Sequence, residues 1–250
     1  MLLSRLADIF WGALYPNLCA GCNGVTDEGE FFCEYCFAML YRCETDKFCL
    51  KCGSEKKYCL CKKQVFHFDG CVSPLYNTGV ARHAMYKFKF RRKETISKFF
   101  SEQMALCVKQ CFGDISFDGI VYVPTEKKTV RRRGYNQSEV LAKGISDILK
   151  IPVLHDTLYS KGKKYKQHKI KDIKQRYKNV KDVYFSGKNL FGKNLLLVDD
   201  IRTSGATLDA CSKVLFAAGA DRVYCITGLM SDYHRENKNK SVLKGKKNGN

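Results

Sequence analysis

Residues 195–208 read LLLVDDIRTSGATL, and the order of residue types in them leaves few folds open. A short apolar run, read as a buried strand, ends in two adjacent carboxylates, Asp199 and Asp200. Five small residues follow, Thr203, Ser204, Gly205, Ala206 and Thr207. A helix-like segment over 208–218 comes next, with Gly219 as its stop signal. Similar units flank this one. Residues 117–123, FDGIVYV, read as a buried strand leaving at Pro124, and 136–150, NQSEVLAKGISDILK, as a helix started by Gln137 and Ser138. Residues 222–229, RVYCITGL, read as a further strand. Strands alternating with helices imply βαβ units, a parallel sheet, and ligands at the strand C-termini.

A strand that delivers two acids and then a small-residue turn at a helix start suits a sugar phosphate. Backbone N–H groups at the helix N-terminus hold the phosphate, and the carboxylates grip sugar hydroxyls. The sequence has neither G-x4-G-K-[ST] nor G-x-G-x-x-G, which excludes a P-loop and the dinucleotide fingerprint. It also lacks a nucleophile elbow or a Ser-His-Asp arrangement. His83 and His168 sit in basic stretches and read as solvated or core residues.

Eight of the 14 cysteines fall in pairs between Cys19 and Cys61. Cys19-x2-Cys22, ten residues, then Cys33-x2-Cys36 is the spacing of two knuckles closing on one tetrahedral zinc. Cys49-x2-Cys52 with Cys59-x-Cys61 forms a second, less regular set, near enough to Cys43 for that residue to replace one of its members. One or two structural Zn²⁺ ions follow, holding a segment too short for its own core. Cys71, Cys107, Cys111, Cys211 and Cys225 read as small buried hydrophobes. With no secretory signal, such pairs point to a reducing cytoplasm.

The organisation follows from these shifts in composition: 1–64, a helix and cysteine-rich zinc module; 65–230, the α/β domain; 231–250, a basic disordered tail. The start, MLLSRLADIFWGALYP, reads as a short amphipathic helix packing on the body rather than a leader. No apolar run approaches the roughly 20 residues that cross a bilayer. The formal net charge of +19 attracts polyanions, although much of it lies in lysine runs such as 161–181 and the tail. Residues 155–182 are lysine-rich and without apolar periodicity, which marks a mobile or functional connection.

VDDIRTSGAT closely resembles the phosphoribosyl-pyrophosphate (PRPP) motif of type I phosphoribosyltransferases. More narrowly, a cysteine-rich zinc module followed by such a domain resembles the competence-protein F (ComF) family. RRRGYNQSE at 131–139 is similar to that family's R-x-R-G-[FY]-N-Q signature, and KFRRKE at 89–94 to its lysine-aromatic turn. Gln167, Arg176 and Asn179 match its spaced Q…R…N stretch, followed by an aromatic at Tyr184 or Phe185. Lys164 and Tyr122 stand where the family commonly has a threonine and a second proline.

The resemblance implies a type I phosphoribosyltransferase fold with an N-terminal double zinc ribbon. It implies PRPP as ligand, with Mg²⁺ bridging pyrophosphate and ribose. Asp199 and Asp200 would bind the ribose hydroxyls and serve catalysis, and Thr203, Ser204, Gly205, Ala206 and Thr207 would wrap the 5′-phosphate. Lys89, Arg131, Arg133, Asn136 and Gln137 would meet the pyrophosphate, although Asn136 and Gln137 equally suit a helix start. Two functions remain open. One is Mg²⁺-dependent phosphoribosyl transfer to an unidentified acceptor. The other is PRPP sensing without catalysis, in a protein working with single-stranded DNA and DNA-uptake helicase machinery, where Tyr86, Phe88 and Phe90 would serve either stacking or the core.

Overall fold

Apolar side chains alternate along each long strand, and the two sets face opposite layers. Leu196, Val198, Tyr224 and Ile226 join one buried cluster, whereas Leu195, Leu197, Val223 and Cys225 join the other. The computed structural model describes residues 16–59, 61–90, 95–160 and 184–231. The amphipathic N-terminal segment, the end of KFRRKE, the run 161–181 with Gln167, Arg176 and Asn179, and the basic tail lie outside the described residues.

The protein is an α/β structure with a parallel sheet flanked by helices. Strands β1 (Gly70–Val72) and β2 (Leu75–Tyr76) pair with β7 (Arg222–Met230), β7 with β6 (Asn194–Arg202), and β6 with β3 (Gly119–Tyr122). Every one of these pairings is parallel. The register shows β1 and β2 to be one edge strand: Val72 aligns with Ile226 and Leu75 with Leu229. Pro74 lies in the gap, and an edge strand tolerates its missing donor.

Helix α1 (Glu34–Ala38) belongs to the first cysteine module. Helices α2 (Gly79–Phe90), α3 (Ile96–Phe112) and α5 (Gln137–Leu149) cover one face of the sheet, and α6 (Ala206–Ala217) covers the other. The short α4 (Lys127–Arg133) follows the turn after β3. The cysteine modules straddle the sheet: Cys19, Phe32, Cys36 and Leu40 pack with the α2–α3 layer, and Cys52, Phe66 and Phe68 with the α6 layer. Among the described residues no helix is long and apolar enough to cross a membrane.

Three boundaries differ from the sequence expectation. Strand β6 runs through both acids to Arg202, because β7 keeps supplying ladder partners as far as Met230. Helix α5 is capped by Asn136, whose side chain accepts from the Ser138 N–H, so Gln137 and Ser138 lie in its first turn. Within the supposedly irregular 155–182, Tyr159–Ser160 forms β4, antiparallel to β5 (Tyr184–Phe185).

Helices α3 and α5 meet where Gly144 faces Ser101. A Cβ at Gly144 would sit 2.4 Å from Ser101 Oγ and 2.7 Å from its Cβ. Alanine normally gains about 1 kcal/mol over glycine in a helix interior. Here the overlap dominates, and Gly144→Ala is expected to destabilise by about 1–3 kcal/mol. Urea denaturation checks this, and an unchanged or raised midpoint would contradict the close approach.

Candidate functional site

The site is assembled where β6 runs on past the end of β3, at the C-terminal edge of the sheet. Asp199 and Asp200 sit on β6 between the apolar run ending at Val198 and Ile201. Asp199 Oδ1 accepts from the Ser138 hydroxyl at 2.9 Å and from the Asp200 N–H at 2.9 Å. Asp200 Oδ2 pairs with Lys89 Nζ, from the last turn of α2, at 2.6 Å. Burial, reinforced by the Asp200 charge, pushes Asp199 up to about 7, against the pull of Lys89 and Ser138. The two acids therefore differ in environment: one has a cationic partner, the other a hydroxyl and an amide.

The small-residue segment divides between two elements. Thr203 and Ser204 form the turn, Gly205 takes φ +81° as the N-cap of α6, and Ala206 and Thr207 already lie in the helix. Only glycine adopts that backbone without strain. Gly205 has no side chain with which to cap α6, and the Ala206 N–H donates instead to Ser204 Oγ of the turn at 3.4 Å. Burial raises the Tyr184 hydroxyl far above its usual range, although its hydrogen bond with Thr207 opposes the shift.

The arginine-rich turn lies across from the acids. Asn136 is committed to the turn: its Oδ1 accepts from Thr125 Oγ1 at 2.9 Å and its Nδ2 donates to Val123 O at 3.2 Å. Arg133 lies over the Phe90 ring, 4.7 Å from its centroid, and donates to Gln137 Oε1 at 2.8 Å. Arg133 Nε and Gln137 Nε2 are buried donors with no acceptor among the described residues. Arg131 and Arg132 are exposed. Phe88 is fully buried and is a core residue, whereas Tyr86 and Phe90 are 53% and 47% exposed, their rings tilted at 39° with centroids 4.8 Å apart.

The cysteine sets are two separate clusters, Cys19/Cys22/Cys33/Cys36 and Cys49/Cys52/Cys59/Cys61, with all sulfurs of each within 4.8 Å of one another. Cys43 is not in the second set and packs instead by Phe48, Tyr76 and Met230. Cys71, Cys107, Cys211 and Cys225 are buried as expected, and Cys111 is partly exposed. The Sγ pairs Cys22–Cys33, Cys49–Cys61 and Cys52–Cys59 are all 3.8 Å apart. A disulfide needs about 2.05 Å, whereas a tetrahedron with Zn–S of about 2.3 Å has edges of about 3.8 Å. Burial opposes ionisation of Cys19, but backbone N–H groups of Cys22, Cys33 and Gly21 outweigh it and lower the thiol to about 6. Both clusters suit structural zinc.

Three contributors were not singled out from sequence. Ser138 reaches Asp199 across 61 residues, and nothing in NQSE signals that span. Asp209, 2% exposed on α6, accepts from the His67 N–H at 2.7 Å and anchors the end of the second module. Arg202, the last residue of β6, is also buried.

The class defined by these features is an α/β protein with an acidic pair and a small-residue turn at the sheet's C-terminal edge, braced by two tetrathiolate clusters. By sequence the chain is a homologue of proteins named Competence protein F, ComFC and YhgH. It is 28% identical to "Competence protein F" of Haemophilus influenzae over 186 residues, 70% of this chain and 81% of that protein. It is 26% identical to "Competence protein ComFC" of Bacillus subtilis over 140 residues, 55% of this chain and 54% of that protein. "DNA utilization protein YhgH" of Escherichia coli is 26% identical over 147 residues, 57% of this chain and 64% of that protein. The chain thus spans about half of ComFC and just under two thirds of YhgH. No family model matches it. Similar solved structures include a purine phosphoribosyltransferase from Pyrococcus horikoshii, with TM-score 0.34 and 16% identity over 54% of this chain and 83% of that one. Another is adenine phosphoribosyltransferase from Thermoanaerobacter pseudethanolicus, with TM-score 0.36 and 14% identity over 57% and 84%.

Elemental analysis of protein purified without chelators is expected to give two zinc ions per chain, and fewer than one would contradict both clusters. The acidic pair generates a pH prediction. Asp199 holds its proton to about 7 in the folded protein against an ordinary 3.8, so the folded state binds more protons than the unfolded one across that window. Its contribution to stability is therefore present at low pH and lost as pH rises to about 7. Asp199→Asn should flatten this limb of the stability curve, read as denaturation midpoints at each pH. An identical slope in both proteins would refute the assignment.

Proposed function

We propose that the protein binds PRPP at the C-terminal edge of the sheet and acts as a Mg²⁺-dependent phosphoribosyltransferase of the ComF type. One observation carries the reading: Asp199 and Asp200 lie near the end of the buried strand β6, which leads through Arg202 into a small-residue turn and the N-terminus of α6. In this reading the carboxylates hold the ribose hydroxyls. Thr203, Ser204, Gly205, Ala206 and Thr207 wrap the 5′-phosphate with backbone N–H groups and hydroxyls.

Lys89, Arg131 and Arg133 face the pyrophosphate, with Asn136 and Gln137 shaping its turn. The orphaned donors of Arg133 and Gln137 support an anionic oxygen there. Mg²⁺, a hard cation suited to carboxylate, phosphate and water oxygens, would supply neutralisation of the diphosphate charge when bound. Transfer breaks the bond between C1 of ribose and the diphosphate oxygen, leaving positive charge on the sugar and negative charge on the leaving group. Asp199 and Asp200 answer the first and the cations the second. Lys89 must leave Asp200, or share it, for the ribose to engage.

A second reading keeps the pocket as a PRPP sensor in a protein that handles single-stranded DNA in natural competence, alongside uptake machinery. The exposed Tyr86–Phe90 pair with Arg133 beside it favours this reading, since exposed rings among cations suit the bases and backbone of a single strand. The names of the relatives and the +19 charge point the same way.

Titration with PRPP and Mg²⁺ is expected to show binding by the wild type and at least a tenfold loss in Asp199→Ala/Asp200→Ala, on the order of two lost charge-assisted contacts. Equal binding by the variant would remove the pocket assignment. Pyrophosphate release on adding nucleobases separates transfer from sensing, and single-strand affinity falling steeply with salt is the signature of the second reading.

A further inference from the structure

Arg202 is the last residue of β6, directly before Thr203, and is 3% exposed. A guanidinium stays charged at every accessible pH, and a buried charge requires compensation. Among the described residues its hydrogen-bond acceptors are both neutral: Nη1 donates to Gly53 O at 3.4 Å and Nη2 to Ser54 Oγ at 3.1 Å. Its Nε has no acceptor there. Gly53 and Ser54 directly follow Cys52, a member of the second cysteine cluster.

Four thiolates around one divalent cation sum to two negative charges. With a metal bound, such a centre would place a counter-charge next to Gly53 and Ser54, the two neutral acceptors of Arg202. The field of Arg202 already reaches neighbouring thiols. Burial pushes Cys71 up to about 11, and the Arg202 charge pulls the other way. On its other side the Arg202 backbone is held by β7, in register with Met230 and accepting from the Ser231 N–H at 2.8 Å. The residue thus joins the cysteine module to the chain where strand becomes turn. The first cluster lies on the opposite face of the sheet, where Lys87 Nζ of α2 reaches Cys19 O at 3.0 Å.

We propose that Arg202 is a positioning residue coupling the second cysteine cluster to the turn at Thr203–Thr207. A metal on Cys49, Cys52, Cys59 and Cys61 holds Arg202, and Arg202 holds the turn. Occupancy of the second metal site then sets how well the turn grips a phosphate, which rests on reading that turn as the phosphate site.

Calorimetric titration of zinc-loaded protein with PRPP and Mg²⁺ tests this, before and after chelation, in wild type and in Arg202→Met. The variant is expected to bind about tenfold more weakly, chelation to weaken the wild type similarly, and chelation to change the variant less than about twofold. Arg202→Lys, which keeps the charge but not the fork, should fall between. Wild-type affinity in Arg202→Met, or an equal chelation effect in both proteins, overturns the coupling. If Arg202→Met does not fold, Ser54→Ala removes one acceptor and no metal ligand; about a threefold loss is expected, and no loss overturns the proposal.

Hydrogen exchange of the Thr203–Thr207 amides in ligand-free protein separates this idea from the PRPP reading. Faster exchange on chelation, in wild type but not in Arg202→Met, supports the link even where PRPP does not bind. Unchanged exchange overturns it even where PRPP binds tightly.

Discussion

Strand β6 is paired on both sides, to β3 as far as Val198 and to β7 as far as Arg202. The difference in length between those two ladders is what makes the site. Beyond Val198 the β3 ladder stops, and there the strand carries two carboxylates before Ile201 and Arg202. The β7 ladder continues, so the acids sit on rigid extended backbone and not on a loop. That rigidity lets one acid be raised to about 7 by burial while its neighbour pairs with Lys89. A flexible loop would turn both carboxylates to water and erase the distinction.

The cysteine modules are integrated into this frame and do not hang from it. Each contributes apolar residues to a different layer of the core, and each sends contacts toward the acidic edge. Helix α2 shows how this works on one face: Lys87 is buried against the Cys19 carbonyl, and Lys89, two residues on, reaches Asp200. On the other face Arg202 and the His67–Asp209 contact tie the second module to the ends of β6 and α6. Segments this short bury little surface of their own, and both sulfur clusters suit a metal that would stiffen them.

Much of the site was legible because its signals are local. The acid pair, the small residues after it and the paired cysteines depend on neighbours within a few residues, and the structure brings each set together. Cys43 illustrates the limit. Its spacing allowed it into the second cluster, but packing against Phe48 and Tyr76 takes it elsewhere. Ser138 illustrates the converse. Its place in a helix start was clear, yet its hydroxyl serves Asp199 on a strand 61 residues away.

Sequence alone determined the alternation of strands and helices, the tetrathiolate sets and the chemical character of the turn, since periodicity, spacing and side-chain size act over short range. Tertiary structure decided where β6 ends, that burial raises Asp199, which aromatics are core, and that the buried Arg202 reaches Gly53 and Ser54 beside the second cysteine cluster. Those outcomes depend on hydrogen-bond ladders and desolvation created by residues distant in the chain, and no local pattern encodes them.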